Sequence, residues 1–182
     1  AATFNLFVGA LQVAIPFYLI ATASSTDELL LASGIFLFGF TYLYVGISNL
    51  AGQEPAGLGW YSAWVAIMAC AFGITEIVKF DEPTIGLLWL QWSVLWALFW
   101  LVLALGYERL TTVTGVLTVI LAFTTCTIPG YLLLLGEWDQ VPTWAVLATI
   151  AATALVLVPV ASRTLRSVPA APEVGSVAAS PS

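Results

Sequence analysis

The sequence predicts an all-α integral membrane protein, a twisted bundle of six transmembrane helices. Three observations lead there. Only 8% of the residues are charged and the mean hydropathy is +1.03, whereas a soluble domain carries roughly 25% charged residues. The apolar residues gather into six runs, each long enough for the ~20 residues of helix that a bilayer crossing needs. Between the runs lie short segments marked by charge or by Gly and Pro, the residues that end helices and stay in water.

The runs are placed at 3–22, 29–50, 60–80, 84–106, 111–135 and 141–162. Ser24-Ser25-Thr26-Asp27-Glu28 closes the first, Gly52-Gln53-Glu54-Pro55-Ala56-Gly57 the second and Asp81-Glu82-Pro83 the third. Glu108-Arg109 closes the fourth and Gly136-Glu137-Trp138-Asp139-Gln140 the fifth. Residues 1–162 thus form a transmembrane domain, and 163–182 are expected as a disordered cytoplasmic tail. From Ser167 that tail is Pro, Ala, Val and Ser with one Glu, a composition that cannot bury a face. Loops one, three and five carry one basic residue, Lys79, and most of the acids, while Arg109, Arg163 and Arg166 lie on the other side. The positive-inside rule makes the arginine side cytoplasmic and places both ends of the chain there.

Composition also excludes. Histidine is absent, Cys70 and Cys126 sit singly in apolar runs, and no ligand spacing exists for a metal or haem. No cofactor is expected. Without His no nucleophile–base pair can be assembled from the loop acids, so the chain is not expected to be an enzyme. The net charge of -6 comes from loop and tail carboxylates and offers no basic patch to a nucleic acid. Glu76 is the deepest carboxylate, and Lys79 three residues on makes a snorkelled interfacial pair the simplest expectation.

Two stretches stand apart inside the runs. Phe38-Gly39-Phe40-Thr41-Tyr42-Leu43-Tyr44-Val45-Gly46-Ile47-Ser48-Asn49 and Trp89-Leu90-Gln91-Trp92-Ser93-Val94-Leu95-Trp96 interleave aromatics with hydroxyls and amides. Membrane Trp and Tyr usually gather at the headgroups, so aromatics this deep need another explanation. Residues four apart share a helix face, which pairs Phe38 with Tyr42 and Trp92 with Trp96 and carries the first face on to Asn49. Two such faces opposed would make a narrow aromatic slot, suited to a flat neutral solute. The fifth run places Thr114, Thr118 and Thr125 at four- and seven-residue spacing and ends in Thr124-Thr125-Cys126-Thr127-Ile128-Pro129-Gly130. Those threonines suit pore lining and repair of the backbone at Pro129 equally well.

Leu37-Phe38-Gly39-Phe40-Thr41-Tyr42-Leu43-Tyr44, Trp60-Tyr61-Ser62, Trp89-Leu90-Gln91-Trp92-Ser93-Val94-Leu95-Trp96 and Ile128-Pro129, in that order, resemble the AmiS/UreI family of bacterial urea and short-chain amide channels, its amide-transporter branch most closely. The resemblance implies a passive facilitator of urea or small neutral amides in the bacterial inner membrane, a protomer with its own pore in the lipid bilayer, and a ring of six protomers. It implies constriction residues Phe38, Thr41 and Tyr42 on one helix and Trp92, Leu95 and Trp96 on another, and the helical spacing of Asn49, Thr118 and Thr125 makes these three candidates for further pore lining. The first run looks like the family's second helix, so the chain is expected to lack the first, and the gap left by that helix is expected as an exposed furrow lined by Phe38, Tyr42, Trp92 and Trp96. The histidines and the pore carboxylate of acid-gated members have no counterpart, Leu121 standing at the carboxylate's place. The run at 141–162 adds a helix beyond the family's shorter members. The alternative to transport is a structural or accessory subunit whose aromatics only pack.

Overall fold

A computed structural model describes residues 2–166, and every regular element among them is helical. The first four crossings are α1 (Ala2–Thr22), α2 (Thr26–Ala51), α3 (Ala56–Val78) and α4 (Pro83–Leu103). The fifth begins with a 3-10 turn at Glu108–Leu110, continues as α5 (Thr111–Leu121), widens into a π-helical turn over Ala122–Thr127, and closes as α6 (Ile128–Leu135). A second 3-10 turn, Trp138–Gln140, leads into α7 (Thr143–Arg166). Six helical crossings are long and apolar enough to span a membrane, as the sequence predicts. The last runs on to Arg166, so residues 163–166 of the expected tail are helical, and 167–182 lie outside the described residues.

Local chemistry sets the ends. Ser25 caps α2 by accepting the Glu28 N–H at 3.2 Å, and the Glu28 carboxylate reaches back to the Ser24 N–H at 2.8 Å and its hydroxyl at 2.9 Å. That reciprocal pattern satisfies amide donors the first turn would leave open. α2 stops at Gly52, which adopts the left-handed conformation (φ 62°) and donates to the Ser48 carbonyl, a conformation glycine takes without steric cost. Pro83 opens α4, where its missing N–H costs nothing.

The packing is that of two close helix pairs, α1 along α2 and α3 along α4, against which α5 and α7 lie. Without a hydrophobic drive between helices in lipid, close pairs depend on small residues at the contact. At the α1–α2 crossing a Cβ on Gly9 would stand 2.7 Å from the Leu43 nitrogen, and one on Gly39 would stand 2.9 Å from the Gln12 carbonyl oxygen. At the α3–α4 crossing a Cβ on Gly86 would meet the Gly73 carbonyl at 2.7 Å and the Ile77 Cγ1 at 2.4 Å. Ala69, one turn before Gly73 on the same face of α3, is fully buried in this seam. The corresponding pair Ala148 and Ala152 is exposed on α7.

Lys79 corrects one expectation. It pairs with Asp27 at the start of α2 and lies over the Phe80 ring, whereas Glu76 turns inward and is only 6% exposed. The cause is the tertiary approach of the α2 N-terminus, which brings an accessible carboxylate to the end of α3. Both partners are about half exposed, so the pair contributes at most ~1 kcal/mol.

The glycine seam gives a direct test. Gly86→Ala should cost about 1–3 kcal/mol through overpacking, read as a lower unfolding midpoint in detergent. Gly115→Ala, where a Cβ meets nothing within 4 Å, should be neutral or stabilising.

Candidate functional site

α4 holds the centre of the bundle because its side chains reach three other parts of it. Trp89, Trp92 and Trp96 recur at three and four residues, so one face of α4 carries three indoles. Into that face projects Phe38 of α2, its ring centroid 5.2 Å from Trp89, 5.0 Å from Trp92 and 5.3 Å from Trp96. The last two contacts are edge-on, at 76° and 69°, the arrangement the ring quadrupole favours. Trp89 stacks on Phe72 of α3 at 4.8 Å. Gly34 makes room for it, since a Cβ there would stand 2.9 Å from the Trp89 ring.

The indole N–H groups are met in a repeated way. Trp92 donates to the Thr125 hydroxyl at 2.8 Å, and that hydroxyl donates to the Leu121 carbonyl at 2.6 Å. Trp96 donates to the Thr41 hydroxyl at 3.3 Å, and Thr41 donates to the Leu37 carbonyl at 2.7 Å. Each is a chain from indole to hydroxyl to helix carbonyl. Two further bonds fix the same layer, Ser93 to the Ala66 carbonyl at 2.7 Å and Tyr61 to the Leu37 carbonyl at 3.3 Å.

Thr125 lies within the π turn. Thr124, Thr125 and Thr127 hydroxyls bond the carbonyls of Ile120, Leu121 and Ala122, the back-bonding that Thr41, Thr114 and Thr118 also make in regular helix. None of these is the carbonyl of Thr124 or Thr125 that the missing N–H of Pro129 would have served, so the threonines bond the backbone of their own turns, and Thr125 serves the aromatic cluster as well.

The structure brings together Phe38, Thr41, Trp92, Trp96 and Thr125. Leu95 is 5% exposed and packs among Val65, Leu117 and Leu121 beside them. Tyr42 is half-buried on the next position of α2 and makes no ring contact. Thr118 is half-buried and bonds the Thr114 carbonyl. Asn49 is exposed near the end of α2, about 16 Å along the helix from Phe38. The expected pairwise slot is not the arrangement found. Phe38 wedges among the tryptophans, because α2 approaches α4 closely enough for its ring to fill the gap. Two clefts beside the cluster are lined by other residues. A cleft of about 450 Å³ lies between α3 and α4, walled by Trp60 and Trp100, and one of about 180 Å³ lies between α4, α5 and α7. In the wall of the larger, the Trp100 indole N–H is buried without a partner, as is the Gln12 side-chain oxygen in α1.

Sequence reasoning passed over Trp89 and Phe72 as site residues. The spacing of Trp89 with Trp92 and Trp96 could have found the first. Phe72 carries no signal, since an apolar aromatic in a span is ordinary.

A profile described as AmiS/UreI family transporter matches residues 1–137, which carry the whole cluster. The chain belongs to the AmiS/UreI family. It is 48% identical over 158 residues to the "Putative transporter protein AmiS2" of Rhodococcus erythropolis, covering 86% of this chain and 76% of that protein. It is 38% identical over 159 residues to the "Putative amidate substrates transporter protein" of Mycolicibacterium smegmatis, covering 86% and 75%. The "Acid-activated urea channel" of Helicobacter pylori strain J99 is 32% identical over 121 residues, 59% of this chain and 60% of the channel. No solved structure matches the chain. These AmiS/UreI relatives are named as transporters and channels, not as enzymes. The family match stops at Glu137, before α7, which packs on α4 and α5. The protein is a multi-pass membrane transporter or channel of this family.

The Trp92–Thr125 bond can be weighed by a double-mutant cycle on unfolding in detergent. Thr125→Val, which loses the hydrogen bonds, should destabilise more than Thr125→Ser, which loses only a buried methyl group. Combined with Trp92→Phe, the valine variant should show a coupling of about 0.6–1.7 kcal/mol, the range for hydrogen bonds between membrane helices.

Proposed function

We propose that the protein is a passive facilitator for urea or small neutral amides, and that the level defined by Phe38, Thr41, Tyr42, Trp92, Leu95 and Trp96 selects the solute. One observation carries this reading. The chain belongs to a family whose members include a protein named for amidate substrates and one named a urea channel, and its deepest polar groups, those of the aromatic cluster, are neutral. A neutral solute needs no buried charge. An ion path would call for rings of charge or carbonyls, and coupled transport usually uses an ionisable residue at mid-membrane. Flat rings with hydroxyls at their edges suit a planar amide, which offers a face to stack and polar edges to bond. Asn49, Thr118 and Thr125 belong to this reading as secondary positions, Thr125 through its hold on Trp92. The family resemblance further supports a homo-hexamer in the bacterial inner membrane, with residues 163–182 on the cytoplasmic side.

The experiment is light-scattering permeability of proteoliposomes to urea, acetamide and glycerol, with ion conductance measured alongside. Urea and acetamide should cross well above protein-free vesicles, glycerol poorly and ions not at all. No solute flux in intact, correctly sized protein would instead identify a non-transporting subunit whose aromatics pack the bundle.

Flux should also change little between about pH 5 and 7.5, the window in which an unperturbed histidine titrates, because the chain has no histidine and Leu121 stands in the fifth crossing. Steep activation on acidification would overturn that expectation and direct attention to Glu76 and the loop carboxylates.

A further inference from the structure

The hydroxyl of Thr41 has a fixed polarity. An aliphatic hydroxyl carries one proton and two lone pairs, and an indole N–H can only donate. Thr41 gives its proton to the Leu37 carbonyl at 2.7 Å, and one lone pair receives the Trp96 N–H at 3.3 Å. One lone pair remains, and no proton. Thr125 provides the contrast. It receives Trp92 at 2.8 Å, donates at 2.6 Å, has the Cys126 sulfur at 3.6 Å, and is 4% exposed. Its capacity is filled, so it holds Trp92 in place. Thr41 is only half-buried, and its remaining valence can be met by a donor alone.

We propose that Thr41 is a specificity-determining acceptor that takes an N–H from the passing solute, so that the protein ranks small amides by the N–H groups they carry. The proposal rests on the reading of this level as the solute path and narrows it to a substrate class. Primary amides and urea present N–H donors in plane with the carbonyl, and a fully N-alkylated amide presents none. Stacking on the rings does not separate them, because both are planar. A donor aimed at the solute carbonyl, such as the Tyr42 phenol, does not separate them either, because both keep the carbonyl. The direction of the Thr41 hydrogen bond is what remains to tell them apart.

Propionamide, N-methylacetamide and N,N-dimethylformamide are isomers with two, one and no N–H groups, so volume and atom count drop out of the comparison. Permeabilities of the full chain in proteoliposomes, corrected for protein-free vesicles, should fall in that order. Propionamide should exceed N,N-dimethylformamide by roughly fivefold, the size of one net hydrogen bond. Thr41→Ser, which keeps the acceptor, should preserve the ratio, and Thr41→Val should bring it toward one. Equal passage of the three isomers in the parent would overturn the proposal while leaving amide transport standing. So would a Thr41→Val protein that slows all three in the same proportion, the result of a merely structural role. If none of the three, nor urea, crosses, both the path and the proposal fall. Should the valine variant not fold, the ranking in the parent and in Thr41→Ser still decides.

Discussion

The hydrocarbon interior offers no hydrogen bonds, so N–H, carbonyl and polar side chains within the spans are driven to find partners in the protein, the Trp100 N–H and the Gln12 side-chain oxygen being exceptions among the described residues. Most of this architecture follows from that one constraint. Regular helices satisfy it without help, and the bundle departs from them chiefly at the π turn of the fifth crossing. There three threonine hydroxyls in succession turn back onto helix carbonyls and so keep their own polarity satisfied. The same constraint acts on the tryptophans. An indole this deep needs an acceptor for its N–H, and Thr41 and Thr125 supply one to each of two. Backbone contact and aromatic positioning thus meet in one residue, Thr125, whose hydroxyl donates to the Leu121 carbonyl and accepts from the Trp92 indole.

Much of the fold was legible because the membrane simplifies the code. Length and apolarity alone locate the crossings, and Gly, Pro and charge mark their ends. What could not be read was which face meets which. Gly73 and Gly86 lie thirteen residues apart in sequence, and only the α3–α4 crossing shows each carbonyl filling the space a Cβ on the other would need. Lys79 illustrates the same limit. Sequence proximity favours Glu76, and the partner is Asp27, delivered by a different helix. The aromatic cluster was half legible. Helical spacing put Trp92 and Trp96 on one face and identified Phe38, but spacing says nothing about the distance between helices, and that distance turns an imagined slot into an edge-on wedge. The threonine run before Pro129 was read as equally suited to lining and repair, and Thr125 has a backbone role joined to a hold on Trp92.

The rings of the cluster are not held alike. Trp92 and Trp96 are each tied by an indole hydrogen bond to a hydroxyl that is itself tied to a helix carbonyl. Turning either ring breaks a polar contact where water cannot replace it, which carries the cost of an unsatisfied buried donor. Phe38 has no such tether. Its edge contacts with the tryptophans are worth about 0.5–1.5 kcal/mol apiece, and a planar solute laid against a tryptophan face would offset part of their loss. On the proposed reading, the tryptophans are the fixed wall and Phe38 the part that gives way. A planar amide that lies on a tryptophan face offsets part of the cost of displacing Phe38, whereas a solute without a flat face offsets less of it. Selection by planarity then needs no open slot at rest, only a wedge whose displacement a flat solute partly offsets.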